Sequence, residues 1–211
     1  MAPLAGRPLI GRVIDRALQV SGDHTLVVAT STEAEDDAIV TFAEAEGLDN
    51  FRGDLEDVRS RALACCATYR FDRFARICGD RPFLPWELID SLLEMHTAEK
   101  LDLATNQMEK SFPAGTMTEI VSVAALRRSL DAEAEAEDRE HVTRYFYRNP
   151  DQFRIGNRVS GNDGWEQLSL AIDRPDDLVR AEWIIARLGE RPERARLGRT
   201  VALAQEFERA N

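Results

Sequence analysis

Two segments, RICGDRPF at 76–83 and LAIDRPDDL at 170–178, share a pattern that can do chemistry: an apolar run, an aspartate, then a proline two residues on. Each run reads as a buried strand, which puts Asp80 and Asp173 where strands stop and loops begin. In open α/β sheets that edge is where ligands bind. Two carboxylates converging there suit Mg²⁺, which takes one or two protein carboxylates and completes its shell with water and substrate phosphates. A nucleotide-handling enzyme is the first expectation. Each aspartate also has a plain structural alternative. Gly79-Asp80-Arg81-Pro82 is a good turn in which Asp80 caps a helix, and Pro175-Asp176-Asp177 is a good helix start. Two copies of one strand-end pattern in one chain favour a shared metal.

Three further segments carry candidate side chains. LAGRPLI at 4–10 places Gly6 and Arg7 just before a helix, where backbone N–H groups, the helix dipole and a fixed positive charge make an anion site. FRGDLEDVRSRA at 51–62 combines Arg52, Gly53, Asp57 and Arg61; it reads either as a ligand loop or as a charged helix start with Asp57 paired to Arg61. DREHVTRYFYRNP at 138–150 holds Glu140, His141 and Arg144. His141 is a candidate contact for an acidic substrate, and equally a surface residue of an Ala/Glu-rich helix.

The elements that must position these groups alternate between strand and helix periodicity. A helix is expected from Pro8 to about Val20, with Pro8 in the first turn. TLVVATS at 25–31 reads as a buried parallel strand. Thr32 and Glu35 suggest a capping box opening a helix to about Glu46, ended by Gly47. An extended piece around Phe51, a helix over 55–69, a strand at 73–78, a helix near 85–97 and a strand at 101–105 follow. An extended stretch at 118–123 leads into helices over 124–147, stopped at Asn149-Pro150. A strand at 168–172 and a helix from Pro175 to Leu188 complete the pattern. The expected fold is α/β: a mainly parallel sheet with helices on both faces. Residues 1–188 form that domain, and 189–211 an arginine-rich helical tail, either solvated or a dimer contact.

Composition narrows the function classes. The net charge of −11 argues against non-specific nucleic-acid binding, which needs a basic surface. It leaves room for an anionic nucleotide whose phosphates a divalent cation neutralises. No apolar run approaches the roughly 20 residues of a bilayer span, and the first residues lack signal-peptide character. Three cysteines, Cys65, Cys66 and Cys78, form neither a disulfide framework nor a metal spacing. A cytoplasmic location is expected.

In order, LAGRPLIGRVIDRA, VVATSTEAEDDAIV, FRGDLEDVRSRA, RICGDRPFLPWELID, FPAGTMTEIVS, REHVTRYFYRNPDQFRI and LAIDRPDDL resemble blocks of the cytidylyltransferase family. The likeness is to the spore coat polysaccharide biosynthesis protein F group, related to the acylneuraminate and 3-deoxy-manno-octulosonate cytidylyltransferases. It covers most of residues 4–188. The resemblance implies the nucleotide-diphospho-sugar transferase fold, transfer of CMP from CTP to an acidic sugar with release of pyrophosphate, Mg²⁺ as cofactor and a homodimer. It implies that Asp80 and Asp173 bind the metal, with Asp80 and Arg7 catalytic. Leu4, Gly6, Arg7, Arg52, Gly53, Asp57 and Gly79 fall near the nucleotide, and Glu119, Glu140 and His141 near the sugar pocket and dimer contact. The likeness begins inside the family's opening loop, whose preceding strand and arginines have no counterpart here, and Met117 stands where an aspartate is expected. These departures set two competing expectations: a start codon assigned too late, or a non-catalytic relative that binds a nucleotide or a partner subunit.

Overall fold

The computed structural model describes residues 1–130 and 135–210. It opens with a feature not expected from the sequence, a tight hairpin of β1 (Pro3–Leu4) and β2 (Arg7–Pro8), with Leu4 opposite Arg7. Its two turn residues, Ala5 and Gly6, both have positive φ, as a two-residue hairpin of this hand demands. Helix α1 (Leu9–Ala17) begins at once, with Pro8 in the capping position.

Strand β3 (Val27–Ser31) pairs in parallel with β4 (Asp49–Gly53), and α2 (Asp37–Ala45) supplies the crossover that parallel strands require. No capping box forms at Thr32 and Glu35. Instead a 3₁₀ turn over Ala34–Asp36 precedes α2, because Asp36 turns back to accept hydrogen bonds from Thr30 Oγ1, Ser31 N and Ser31 Oγ. These three bonds hold the Asp36 carboxyl below its ordinary pKa. Gly47, at φ 71°, ends the helical segment.

After α3 (Val58–Tyr69) come β5 (Arg73–Arg76), α4 (Trp86–Glu99), β6 (Leu103–Thr105), β7 (Glu119–Ser122) and α5 (Val123–Leu130). Then follow α6 (Ala136–Glu140), α7 (Arg144–Arg148), β8 (Ile155–Asn157), α8 (Pro175–Leu188) and α9 (Leu197–Ala210). A four-stranded sheet has the order β5-β7-β6-β8. β7 is antiparallel to β5 and β6, and β6 is parallel to β8, so β5, β6 and β8 share one direction. The fold is the expected α/β arrangement, with β7 reversed.

Alternation along the strands divides the core into two layers. Phe74, Leu103, Val121 and Ile155 pack with Val58 and Leu63 of α3, Ala125 and Leu126 of α5, Phe146 of α7, and Val142 in the turn before α7. Ala75, Ala104 and Ile120 face the opposite way, toward Leu88, Ile89 and Leu92 of α4 and Val13 and Ala17 of α1. A third cluster joins Leu4, Phe83, Leu168 and Leu170 to Ala181, Ile184 and Ile185 of α8 and Val201, Leu203 and Ala204 of α9. The C-terminal helix thus shares a core with the rest of the chain.

The segment 168–172 is not a strand. It makes one parallel bridge, Ala114 with Ser169, through Ala114 N to Leu168 O (3.0 Å) and Leu170 N to Ala114 O (2.7 Å). Its apolar residues are buried because they cover α8 and α9, and such burial is indistinguishable in sequence from a sheet interior. Arg16 locks this side of the molecule. Its buried guanidinium donates to the carbonyls of Leu84 (2.6 Å), Pro192 (3.0 Å) and Ala195 (2.8 Å). Among the described residues no helix is long and apolar enough to cross a membrane.

Candidate functional site

The carboxyl ends of β5 and β6 and the start of β7 line up in one row, since Glu119 lies opposite both Arg76 and Thr105. Side chains at one register project from the same face, so these three meet. Arg76 Nη1 is 3.0 Å from Glu119 Oε2. Tyr147, carried over the row by α7, donates its hydroxyl to Glu119 Oε1 (2.6 Å) and lies 2.8 Å from Thr105 Oγ1. Glu119 is completely buried, and Arg76 keeps 21% of its side chain exposed. Burial works against the charge on Arg76, but Glu119, helped by Cys78, outweighs it and raises the guanidinium pKa. Burial, with Glu119 next to it, raises the Tyr147 hydroxyl as well, so it stays a donor. Buried Asn106 continues the edge, donating to Thr116 O (3.1 Å) and accepting from Thr118 N (2.9 Å).

Asp80 lies four residues beyond β5 on the same edge. Its side chain is 64% exposed, and its nearest cation is Arg81, 4.0 Å away. Asp173 is also exposed, and its carboxylate has no partner among the described residues; only its backbone N–H is used, donating to Asp177 Oδ2 (3.0 Å). The two loops root in one apolar cluster, through Phe83 three residues after Asp80 and Leu170 three residues before Asp173. Among the described residues no three His, Cys, Asp or Glu side chains gather as a metal cage. Two water-facing carboxylates fit Mg²⁺ chemically, because that ion keeps several waters and takes the rest of its shell from phosphate.

The remaining candidates are distributed differently. Leu4 is completely buried, so its side chain is core and only its backbone is available; its carbonyl accepts from Arg12 Nε (3.2 Å). Gly6 forms the exposed tip of the hairpin, not a helix N-terminus. Arg7 turns away from the tip to Asp15 (2.7 Å) and Glu46 (2.6 Å), the latter bond chiefly raising its pKa. Arg52 bridges Ser31 O (2.9 Å), Glu33 O (2.7 Å) and Asp37 (2.6 Å), fixing the loop after β3. Gly53 makes room for Arg61, whose Cγ would lie 2.7 Å from an added Cβ. Asp57 caps α3 by accepting from Ser60 N (2.8 Å), and Arg61 donates to Asp54 O rather than to Asp57. The segment is a charged helix start, as one of its two expectations had it, but without the expected Asp57–Arg61 pair. Gly79 is exposed beside Ile10. Glu140 and His141 lie on the surface at the end of α6, whereas Glu119 is interior. Arg76 and Tyr147 were missed, although both lie inside blocks noted for other residues.

The family model for cytidylyltransferases matches residues 1–197. This chain belongs to the cytidylyltransferase family. It is 31% identical over 152 residues to an uncharacterised protein of Methanocaldococcus jannaschii, covering 72% of this chain and 61% of that one. It is 27% identical to the spore coat polysaccharide biosynthesis protein SpsF of Bacillus subtilis, over 88% of this chain and 77% of that protein. It is 26% identical to the 3-deoxy-manno-octulosonate cytidylyltransferase of Aeromonas salmonicida, over 77% of this chain and 62% of that enzyme. The matches therefore span less than two thirds of the archaeal and Aeromonas proteins. A solved cytidylyltransferase from Leptospira borgpetersenii superposes with a TM-score of 0.89 at 22% identity, covering 99% of this chain and 86% of that one. At that identity the superposition shows the fold. The cytidylyltransferase fold thus places the Arg76–Glu119–Tyr147 row and Asp80 on one sheet edge.

Proposed function

We propose that this cytidylyltransferase transfers CMP from CTP to the hydroxyl of an acidic sugar, releasing pyrophosphate, with Mg²⁺ as cofactor. The observation that carries the reading is the family match over residues 1–197 on a chain whose two candidate metal carboxylates, Asp80 and Asp173, are exposed and free of tight ion pairs among the described residues. Support for an acidic sugar in glycan or surface-polysaccharide synthesis comes from the names of the Bacillus and Aeromonas relatives. A cytoplasmic homodimer is part of the same proposal.

Asp80 and Asp173 would hold the cation, which when bound neutralises phosphate oxygens and the departing pyrophosphate. Asp80 would contribute to catalysis as one of the groups holding that cation, since its own negative charge repels phosphate. Glu140 and His141, at the mouth of the α6–α7 turn, would meet the sugar. The hairpin tip at Gly6 would close on the triphosphate, with Arg7 turning toward it.

A second reading, a homologue that binds a nucleotide or partner subunit without catalysis, is favoured by one observation. Arg7 is already neutralised by Asp15 and Glu46, so reaching a phosphate means breaking both pairs. Calorimetric titration of CTP, with Mg²⁺ and then with EDTA, separates these readings when followed by a pyrophosphate-release assay with 3-deoxy-manno-octulosonate. Metal-dependent binding with release supports the enzyme. Binding without release, once the release assay is extended across a panel of acidic sugars, supports the second reading, and no binding rejects both nucleotide readings.

A further inference from the structure

The buried row at the sheet edge has one unused capacity. Arg76 Nη1 is engaged by Glu119, with the Met117 sulfur 3.9 Å away. Its Nε and Nη2 have no partner among the described residues, and Glu119 is the one carboxylate there within ion-pair reach of it. Met117 carries no charge, so it does not compete as a carboxylate for the outer N–H groups. A guanidinium fixed on one side by a buried carboxylate and left open on the other is built to receive a planar oxyanion, since its donors are held in a rigid fork. Glu119 cannot itself reach a ligand, because it is completely buried and both oxygens are occupied. Tyr147 holds it from the opposite side. The row sits at the ligand-binding edge, and at most about 14 Å of extended chain separates Arg76 from Asp80.

We propose that Arg76 is an oxyanion-binding residue at this edge, receiving a substrate carboxylate or phosphate on Nε and Nη2, with Glu119 and Tyr147 as its positioning residues. The chemistry stands on the geometry of Arg76. Only the naming of the two oxyanion sources rests on the function proposed above.

The test follows the Arg76 Nε–Hε resonance in ¹⁵N-arginine-labelled protein, assigned by its loss in Arg76→Lys. Inorganic phosphate, CTP with Mg²⁺, and 3-deoxy-manno-octulosonate are titrated separately. A saturable shift with the sugar acid alone identifies a carboxylate, and one with CTP or phosphate alone identifies a phosphate. Met117→Asp, which sets a competing carboxylate beside the guanidinium at a half-buried position, should weaken that binding by about tenfold or more. The paired change Arg76→Met with Glu119→Gln removes both charges together without leaving a buried lone charge, and should weaken binding of the same ligand, measured by calorimetry because this variant lacks the resonance. If the resonance moves with none of the three, or if neither variant weakens binding, the proposal is overturned. Calorimetric CTP binding with a motionless Arg76 resonance would overturn this inference alone. A phosphate-driven shift without CTP binding would uphold it and overturn the function.

Discussion

The Tyr147 hydroxyl lies 2.6 Å from Glu119 Oε1, so one hydrogen bond ties α7 to the first residue of β7. The same hydroxyl lies 2.8 Å from Thr105 Oγ1 on β6. Tyr147→Phe keeps the ring and its packing but leaves a carboxylate oxygen buried without a donor. A loss of about 2 kcal/mol in urea-denaturation stability is expected.

Arg16 joins α1 to the loop before α4 and to the turn before α9 through three carbonyls. Arg16→Met preserves much of the aliphatic stem and strips all three acceptors of their donor. Destabilisation of about 3 kcal/mol or more is expected from chemical unfolding. Arg16→Lys should recover only part of it, because one ammonium cannot reproduce the planar fork.

His96 on α4 is buried, and neither ring nitrogen has a hydrogen-bond partner among the described residues. Burial, then Arg73, depresses its pKa, while Asp102 and Asp72 oppose the shift more weakly. The unfolded chain therefore binds the proton first as pH falls. Stability is unaffected by this group above about pH 7 and declines as pH drops through 6.5 toward the lower folded value. His96→Leu should flatten that decline, measured as the difference in urea midpoint between pH 7.5 and pH 5.5 for the two proteins.

Gly115 has φ 85°, and a Cβ there would lie 2.4 Å from Ala171 N. Gly115→Ala should push the 168–172 segment away, break the Ala114–Ser169 bridge and displace the Asp173 loop. A cost of about 2 kcal/mol or more is expected from backbone strain alone. Thermal unfolding measures it, and Mg²⁺-dependent CTP binding should weaken in parallel.

Asp80→Asn changes an exposed side chain with one distant ionic neighbour. Its thermal stability should stay within about 0.5 kcal/mol of the parent. Metal-dependent CTP binding and turnover should be lost, and full activity in this variant would remove Asp80 from the metal site.

The sequence alone determined where most elements lie, because periodicity and terminators are local. Pro175 starts α8 and Leu188 ends it, as expected; Pro8 precedes α1; Gly47 stops the segment containing α2. The seven ordered blocks also carried the family, which the match over residues 1–197 bears out. Local signals misled where two environments leave the same trace. Residues 168–172 are apolar because helices cover them, not because they pair in a sheet. Ser31 and Thr30 drew Asp36 back to the strand end, and the cap anticipated at Thr32 never formed.

Only the tertiary structure decided which charged residues serve the fold and which remain available. Arg52, Asp57 and Arg16 have the same composition cues as ligand-binding residues, yet each is occupied by backbone groups or its own helix. Arg76 and Glu119 are 43 residues apart, and only the antiparallel register of β5 and β7 sets them opposite one another. Residue type fixes which bonds a side chain can make, whereas long-range register and burial fix which of them are already made.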